Sequence, residues 1–309
     1  MREGAGMKAI IFQAETTETC HPVTLSRSLG ECPIANRPLA QIQRERLLEA
    51  GFKIAETGNG HDLFVRQDAW LSTAMLTQLA HSKIPLAVRD AQGTLLAWIG
   101  NSAQKVIGTK TLPLDDSSFL IRYPWDLLTI QEQVLGSFTE TQIEGELSPS
   151  ATHEGTLILG KGSRVLPGVY IEGTVIIGAN CKIGPNCYLR GSTSIGDRCH
   201  IGQAVEIKNS IIMESTNIGH LSYCGDSVIG CHVNFGAGTI VANFRHDGEN
   251  HRSLVDGKLI DTGRHKFGAV IGDHVHTGIH TSIYPGRKIW PHICTRPGDI
   301  VKTDLMGQA

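Results

Sequence analysis

The sequence predicts two domains of different class: an α/β layer over residues 1–140 and a parallel β-helix of hexapeptide repeats over 141–309. Three observations predict this. Every sixth residue from Leu159 is aliphatic: Leu159, Val165, Ile171, Ile177, Ile183, Leu189, Ile195, Ile201 and Ile207. That period is neither the 3.6 of a helix nor the 2 of a strand, and it marks a solenoid built of one short strand and one corner per repeat. Two positions before several of these aliphatics the side chain is small, at Ser163, Cys181, Cys187, Thr193 and Cys199, as the inside of a narrow prism requires. Before residue 140 the pattern instead alternates between short apolar runs and helical stretches.

Lys8 to Phe12 reads as a first strand. Pro38 to Ala50 reads as an amphipathic helix closed by Gly51, followed by strands near Phe52 to Ala55 and Asp62 to Arg66. Ser72 to His81 reads as a second helix; Pro85 to Arg89 and Leu95 to Ile99 read as a strand pair around Asp90-Ala91-Gln92-Gly93. The alternation predicts a largely parallel sheet. Tyr123-Pro124-Trp125-Asp126 opens a further helix, with proline at its start. The polar stretch Gly145 to Gly155 leads into the β-helix. There each aliphatic is expected to point inward and stack on the next coil. Glycine follows it at Gly160, Gly178, Gly184, Gly196 and Gly202, which predicts a corner of positive φ at each. The repeat slips by one position near Ile212 and is interrupted over 242–267.

Composition narrows the function classes. The formal charge is −2 and no Lys/Arg block occurs, so no nucleic-acid partner is expected. No apolar run is long enough to span a bilayer and no signal peptide leads the chain, which predicts a cytoplasmic protein without a membrane partner. Met7 is an alternative start to Met1. Several of the eight cysteines occupy the small inward position and read as reduced core thiols. Cys181 and Cys199 stand one full coil apart and should stack, with a disulfide as the alternative.

Arg190 and Lys208 are likewise one full coil apart and both follow an inward aliphatic, so they leave the prism at equivalent positions. Adjacent strands are about 4.8 Å apart, and stacked like charges repel. A bound anion such as a sugar phosphate would reconcile the pair; the alternative is two solvated charges that splay apart. The long excursion over 242–267 reads as functional. His274 and His276 should point the same way on a strand with His292 one coil above; no Cys or Asp joins them at ligand spacing, so they read as surface histidines and no metal is expected.

Specific segments carry a family resemblance. NRPLAQIQRERLLEAGF (Asn36 to Phe52) and YPWDLL (Tyr123 to Leu128) resemble parts of sugar-nucleotide pyrophosphorylase domains. VEIKNSIIM, GHLSYCGDSVIG, NFGAGTIVANFRHDG and TGRHKFGAVIGDHVHTGI resemble the acetyltransferase domain of archaeal-type bifunctional sugar-1-phosphate nucleotidylyltransferase/acetyltransferases, which are GlmU-like. The resemblance is dense over 155–300 and thin over 1–140. It implies a left-handed β-helix, a homotrimer, and acyl-CoA bound between neighbouring prisms. It implies His220 as general base, a role suited to an imidazole that titrates near working pH. It assigns the sugar phosphate to Arg190 and Lys208, and further substrate contacts to Tyr223, Asn234 and Asn243. Lys266 would reach the substrate phosphate, in a neighbouring chain's site. Ala237, Thr277 and the stretch around Arg296 would contact pantetheine or CoA. The N–H groups of Gly236-Ala237-Gly238 are candidates for stabilising a developing oxyanion. Glu249 departs from a lysine carried by some of these relatives.

In the first domain the resemblance breaks where chemistry should be. Nucleotidyltransferases of this kind place a Gly-rich loop of the form LAAGxGTR after the first strand, followed by Pro-Lys, to hold phosphates. Here Phe12 is followed by QAETTETCHPVTLSRSL, without glycine until Gly30 and with Glu15 and Glu18 in the loop. Asp68 falls near a family metal-binding aspartate, but reads as an ordinary strand-end carboxylate. The domain is therefore read as a degenerate, shortened nucleotidyltransferase-like domain, with Mg²⁺ needed only if it is active. The function expected is acetyl-CoA-dependent N-acetyl transfer to an amino-sugar 1-phosphate such as glucosamine 1-phosphate. The alternatives are a bifunctional enzyme that also makes the sugar nucleotide, and a non-catalytic trimeric scaffold or sugar-nucleotide sensor.

Overall fold

A computed structural model describes residues 7–13, 18–57, 61–100 and 109–307, and the chain forms two compact units. The first comprises the described residues up to Gln13, Leu29–Glu31 and Pro38–Arg122; the second comprises Glu18–Ser28, Cys32–Arg37 and the chain from Tyr123 onward. Met1 and Glu15 lie outside the described residues.

The first unit is built on a six-stranded sheet in the order Lys53–Ile54, Lys8–Phe12, Asp62–Arg66, Leu95–Gly100, Leu86–Arg89, Lys110–Pro113. Lys8–Phe12 pairs parallel with both neighbours, and Leu86–Arg89 pairs parallel with Lys110–Pro113. Leu95–Gly100 is antiparallel to the strands on either side of it. The sheet is thus mixed, not largely parallel. The cause is the short turn at Asp90, since so short a connection can join only antiparallel strands. Asp90 Oδ1 accepts from the N–H groups of Gln92 (2.9 Å) and Thr94 (2.8 Å), and Gly93 takes φ +83°. Helices α1 (Leu39–Glu49) and α2 (Thr73–Ala80) follow the expected bounds closely. Gly51 closes α1 at φ +93°, and Ser72 caps α2 by accepting from Met75 N at 3.0 Å. Leu47, Met75, Leu76 and Leu79 from the helices pack on Leu63, Val65, Val88 and Leu96 from the sheet. Asp68 is buried and held by both guanidinium arms of Arg66, at 2.8 and 2.7 Å. Glu18, expected in the loop after the first strand, begins a short helical turn, Glu18–Cys20, in the second unit.

The second unit is a parallel β-solenoid. Glu146–Leu147, Arg164–Val165, Lys182–Ile183, His200–Gln203, Asn217–His220 and Asn234–Phe235 form one face, extended by bridges from Asn234 to His276 and from His276 to Cys294. The strands of the other two faces join in one sheet because Thr152–Leu159 and Tyr170–Ile177 run unbroken through a corner, where Gly155 and Gly173 take φ +112° and +82°. All nine aliphatics of the hexapeptide repeat are at most 2% exposed. Ser163, Cys181, Cys187, Thr193 and Cys199 are buried beside them. Cys181 Sγ donates to Gly196 O (3.0 Å) and Cys199 Sγ to Met213 O (3.2 Å), so each thiol has a carbonyl partner one coil on.

The repeat glycines have a different reason from the one expected. Of the five, only Gly184 takes positive φ. The corners of positive φ are occupied instead by residues such as Asn180, Asn186, Arg198, Asn209 and Asp226. At Gly160 and Gly202 the limit is the next coil: a Cβ would lie 2.6 Å from Gly178 and 1.8 Å from Gly219 O. The slip in the repeat sits at one corner. Arg190 pairs with Lys208, a full coil on, whereas Ser194 pairs with Ile211 and His200 with Asn217, each one position short of a full coil.

The second unit begins earlier than the β-helix repeats. Helix α3 (Asp126–Leu135) is opened by Asp126 Oδ2, which accepts from Tyr123 N at 2.9 Å. Its Gln131, fully buried, donates to Ser192 O (3.0 Å) and Ser210 O (3.1 Å) and accepts from Ser194 Oγ (2.7 Å). Buried amides satisfied in this way tie α3 to the solenoid, and the second compact unit takes in the chain from Tyr123 onward. Within the 242–267 interruption, Arg252–Val255 and Lys258–Asp261 form a hairpin, turning at Asp256-Gly257 with φ +47° and +74°. Ser253 Oγ donates to Gly286 O at 3.0 Å, and Phe267 is buried edge-on to Trp125 at 5.7 Å, so the excursion is docked onto its own unit.

Candidate active site

Arg190, Lys208 and Gly225 are aligned in register on three successive coils, with Tyr188, Glu206 and Tyr223 aligned two positions earlier in each strand. Alternate residues of a strand share a face, so all six positions lie on one outer surface. The two cations do not face each other uncompensated, as the sequence suggested. Arg190 pairs with Glu206 at 2.7 Å and lies 5.2 Å from the Tyr188 ring centroid, and Lys208 Nζ pairs with Asp226 at 2.9 Å. A bound anion is therefore not needed to hold them together. The two pairs differ in accessibility: the Glu206 side chain is 32% exposed, that of Asp226 only 3%.

Above Lys208 the row carries no side chain, because Gly225 takes that position. A Cβ on Gly225 would lie 2.4 Å from Tyr223 Oη and 2.6 Å from Asn243 Nδ2. Those two atoms are 2.9 Å apart and hydrogen-bonded, and Asn243 Nδ2 also donates to Asp226 at 2.6 Å. Burial, reinforced by Asp226 and Glu206, pushes the Tyr223 hydroxyl up to about 12, so it stays a neutral donor and acceptor at neutral pH. The Asn243 carbonyl meets His251 Nε2 at 3.0 Å; burial pushes the His251 imidazole down, which keeps it neutral and well suited to donate here without adding charge. Arg190, Lys208, Tyr223 and Asn243 are thus brought together on one face.

His220 ends the strand Asn217–His220 on the adjoining face and is exposed. One corner, Leu221 at φ +50° and Ser222, separates it from Tyr223; Ser222 Oγ donates to the His220 carbonyl at 2.8 Å. Among the described residues the imidazole makes no hydrogen bond. Asn234 is exposed on the same face as His220, one coil beyond Asn217. Lys266 lies in the excursion with its Nζ 3.6 Å from the Phe244 ring centroid. Glu249 is exposed near Arg245, which pairs with Asp247.

Ala237, Thr277 and Arg296 come to one corner on successive coils: Gly236 lies under the chain at Thr277-Gly278, and Gly278 under Arg296. Thr277 is buried and shares its hydroxyl with Thr239 at 2.7 Å, whereas Arg296 is exposed. Two of the N–H groups in the Gly236-Ala237-Gly238 run expected to stabilise an oxyanion, those of Gly236 and Gly238, are already engaged. Gly236 N donates to Thr277 O at 3.0 Å and Gly238 N to His220 O at 3.1 Å, so both are consumed by the solenoid ladder. The histidine expectation changes as well. His274 occupies a corner at φ +57°, not a strand, and its ring stacks between those of His232 (4.8 Å) and His292 (4.9 Å). Near-parallel rings do not converge their nitrogens, and no group of three His, Cys, Asp or Glu suited to a metal occurs among the described residues.

Sequence reading missed Glu206, Asp226, His251 and Glu132. Glu206 was within reach, because a residue two before Lys208 must share its face. Asp226 carried a weaker signal, as an aspartate at the spacing of a left-handed corner.

These features define the second unit as a hexapeptide-repeat solenoid with a cation-rich polar row beside an exposed histidine. A family model described as the GMPPB C-terminal domain matches residues 171–293. The chain is 43% identical over 182 residues to a bifunctional sugar-1-phosphate nucleotidylyltransferase/acetyltransferase from Sulfurisphaera tokodaii, covering 59% of this chain and 45% of that protein. It is 46% identical over 185 residues to the bifunctional protein GlmU of Methanococcus maripaludis, covering 60% and 44%. The matches therefore span less than half the length of these curated relatives. Among solved structures, the polysialic acid O-acetyltransferase OatWY aligns at 19% identity with a TM-score of 0.26, over 54% of this chain and 80% of that one. No described helix is long and apolar enough to cross a membrane.

Proposed function

We propose that the second unit is an acetyl-CoA-dependent N-acetyltransferase acting on an amino-sugar 1-phosphate, with glucosamine 1-phosphate as the type acceptor. The observation that carries this reading is the row of Arg190, Lys208, Tyr223 and Asn243, one corner away from the exposed His220. The row offers two cations and two directed hydrogen-bonding groups, which is what a phosphate attached to a sugar requires. The phosphate displaces the half-exposed Glu206 from Arg190, while the buried Asp226 stays in place. His220 takes a proton from the substrate amine as the nitrogen attacks the thioester carbonyl. The carbon–sulfur bond breaks and CoA leaves as the thiol, so no acyl-enzyme is formed. Ala237, Thr277 and Arg296, gathered at one corner, mark the side on which CoA binds.

His220 and the acceptor row lie on adjoining faces that meet at the Leu221 corner, and apolar side chains are exposed there and along the row's own face: Leu221, Ile279, Ile240 and Tyr284. A closed homotrimer buries this apolar margin and completes the site with a second copy's residues, among them Lys266. The first unit supports folding or assembly and performs no nucleotidyl transfer, which leaves Mg²⁺ without a role. The support for this is its lack of a Gly-rich loop and the pairing of Asp68 with Arg66. A panel of amino-sugar phosphates incubated with acetyl-CoA tests the reading, with released thiol and the mass of the N-acetylated product as readouts. Failure of every acceptor refutes it and favours a scaffold.

A further inference from the structure

We infer that Asp226 is the positioning residue of the acceptor row, a proposal that rests on the acetyltransferase reading above. Asp226 is 2% exposed and sits at a solenoid corner with φ +51°. Its two carboxylate oxygens collect three donors: Lys208 Nζ at 2.9 Å and Asn243 Nδ2 at 2.6 Å on Oδ2, and Asn209 Nδ2 at 3.0 Å on Oδ1. Lys208 ends the strand Glu206–Lys208 and Asn243 lies just after the strand Ile240–Val241, two coils on; both are aimed by the same oxygen atom. The left-handed corner turns the Asp226 side chain in beneath the row. A residue on the strand itself would instead occupy the Gly225 position and fill the space over which Tyr223 and Asn243 meet.

The arrangement continues outward. Asn209 Nδ2 also donates to Glu132 Oε1 of α3 at 2.7 Å, and Glu132 pairs with Arg264 of the excursion at 2.5 Å. Two carboxylates therefore hold the lysine, the asparagine and the root of the excursion in one network, and Asp226 is its buried member. Its low exposure separates it from Glu206, which an incoming phosphate can replace. Asp226 does not touch the acceptor in this proposal; it acts through Lys208 and Asn243.

Asp226→Asn tests this, because asparagine tolerates the left-handed backbone but removes the charge and leaves one acceptor oxygen where three donors converge on two. The expected result is a rise of about tenfold to a hundredfold in KM for glucosamine 1-phosphate, from the loss of hydrogen bonds to a charged group. The kcat at saturation and KM for acetyl-CoA should stay within about twofold, and calorimetric affinity for glucosamine 1-phosphate should fall by the same factor as KM rises. Asp226→Asn added to Asn243→Ala should cost less than the two separate effects combined, because the Asn243 share is already lost and only the Lys208 share remains. If Asp226→Asn folds poorly, Lys208→Met combined with it removes the partly buried unpaired ammonium; this pair should regain stability, with an acceptor KM above that of Lys208→Met only by the Asn243 share. An unchanged acceptor KM, an additive double variant, or a parallel loss of kcat and both KM values with stability would each overturn the proposal while leaving wild-type acetyl transfer standing. Absence of acetyl transfer by the wild type would overturn the functional reading, and this proposal with it.

Discussion

Gly225→Ala should disable the acceptor row while sparing the rest of the protein. The new Cβ would lie 2.4 Å from Tyr223 Oη, 2.6 Å from Asn243 Nδ2 and 2.9 Å from Tyr223 Cζ. Ordinary contact needs about 3.5 Å, so the hydroxyl and the amide must each retreat by about 1 Å. The bond between them at 2.9 Å and the bond from Asn243 to Asp226 at 2.6 Å are then lost or badly bent. At about 1 kcal/mol per bond the loss is about 2 kcal/mol, or about 30-fold in acceptor KM. The obstructing atoms are side-chain ends, so the backbone need not move and the stability cost should stay at the lower end of the range for overpacking, about 1 kcal/mol. Steady-state kinetics with glucosamine 1-phosphate as the varied substrate measures the first effect, and thermal melting the second. Acceptor kinetics equal to wild type would refute the placement of Tyr223 and Asn243 in the site.

Three further outcomes are expected. His220→Ala should lower kcat by about 10²- to 10⁴-fold, the range for loss of a general base, with KM for acetyl-CoA little changed; near-normal turnover would remove His220 from the mechanism. Glu206→Gln should improve acceptor binding by about two- to fivefold, because a half-exposed ion pair worth up to about 1 kcal/mol no longer competes with the phosphate; weaker binding would show that Glu206 contacts the acceptor itself. Glu132→Ala should leave the largely buried Arg264 unpaired and loosen the 242–267 excursion, seen as faster limited proteolysis there and about 1–3 kcal/mol lower stability; an unchanged cleavage pattern would deny the link between α3 and the excursion. A truncation at residue 140 removes Glu132, Gln131 and Trp125 from the solenoid unit, so it should not leave acetyl transfer intact.

The solenoid was legible because its signal is periodic: one inward aliphatic at every sixth position is a demand that every coil repeats, and all nine proved buried. Arg190 and Lys208 were legible for the same reason, since the period alone places them one above the other. What was not legible depends on directions that a period does not carry. The corner conformations fell to non-glycine residues, among them Asn, Asp and His, while most repeat glycines answered to the neighbouring coil, a distinction visible only once coils are stacked. The carboxylates that neutralise the row come from the strand face and from a corner, so the charge balance was hidden. In the first unit, strand positions were readable but the sheet order was not: the turn at Asp90 sends Leu95–Gly100 between two strands that sequence order alone would not separate. The grouping of Glu18–Ser28 and α3 with the solenoid rests on long-range hydrogen bonds such as those of Gln131, which leave no local pattern.

The account stands most directly on recognition of a phosphate by the row of Arg190 and Lys208. The measurement that tests it is acetyl-CoA turnover by the full chain with glucosamine 1-phosphate and with unphosphorylated glucosamine, followed by released thiol. It predicts acceptor-dependent thiol release with the phosphorylated sugar and a kcat/KM about a hundredfold or more lower without the phosphate, as two lost charge-assisted contacts imply. No acceptor-dependent release, or equal rates for the two sugars, would contradict it.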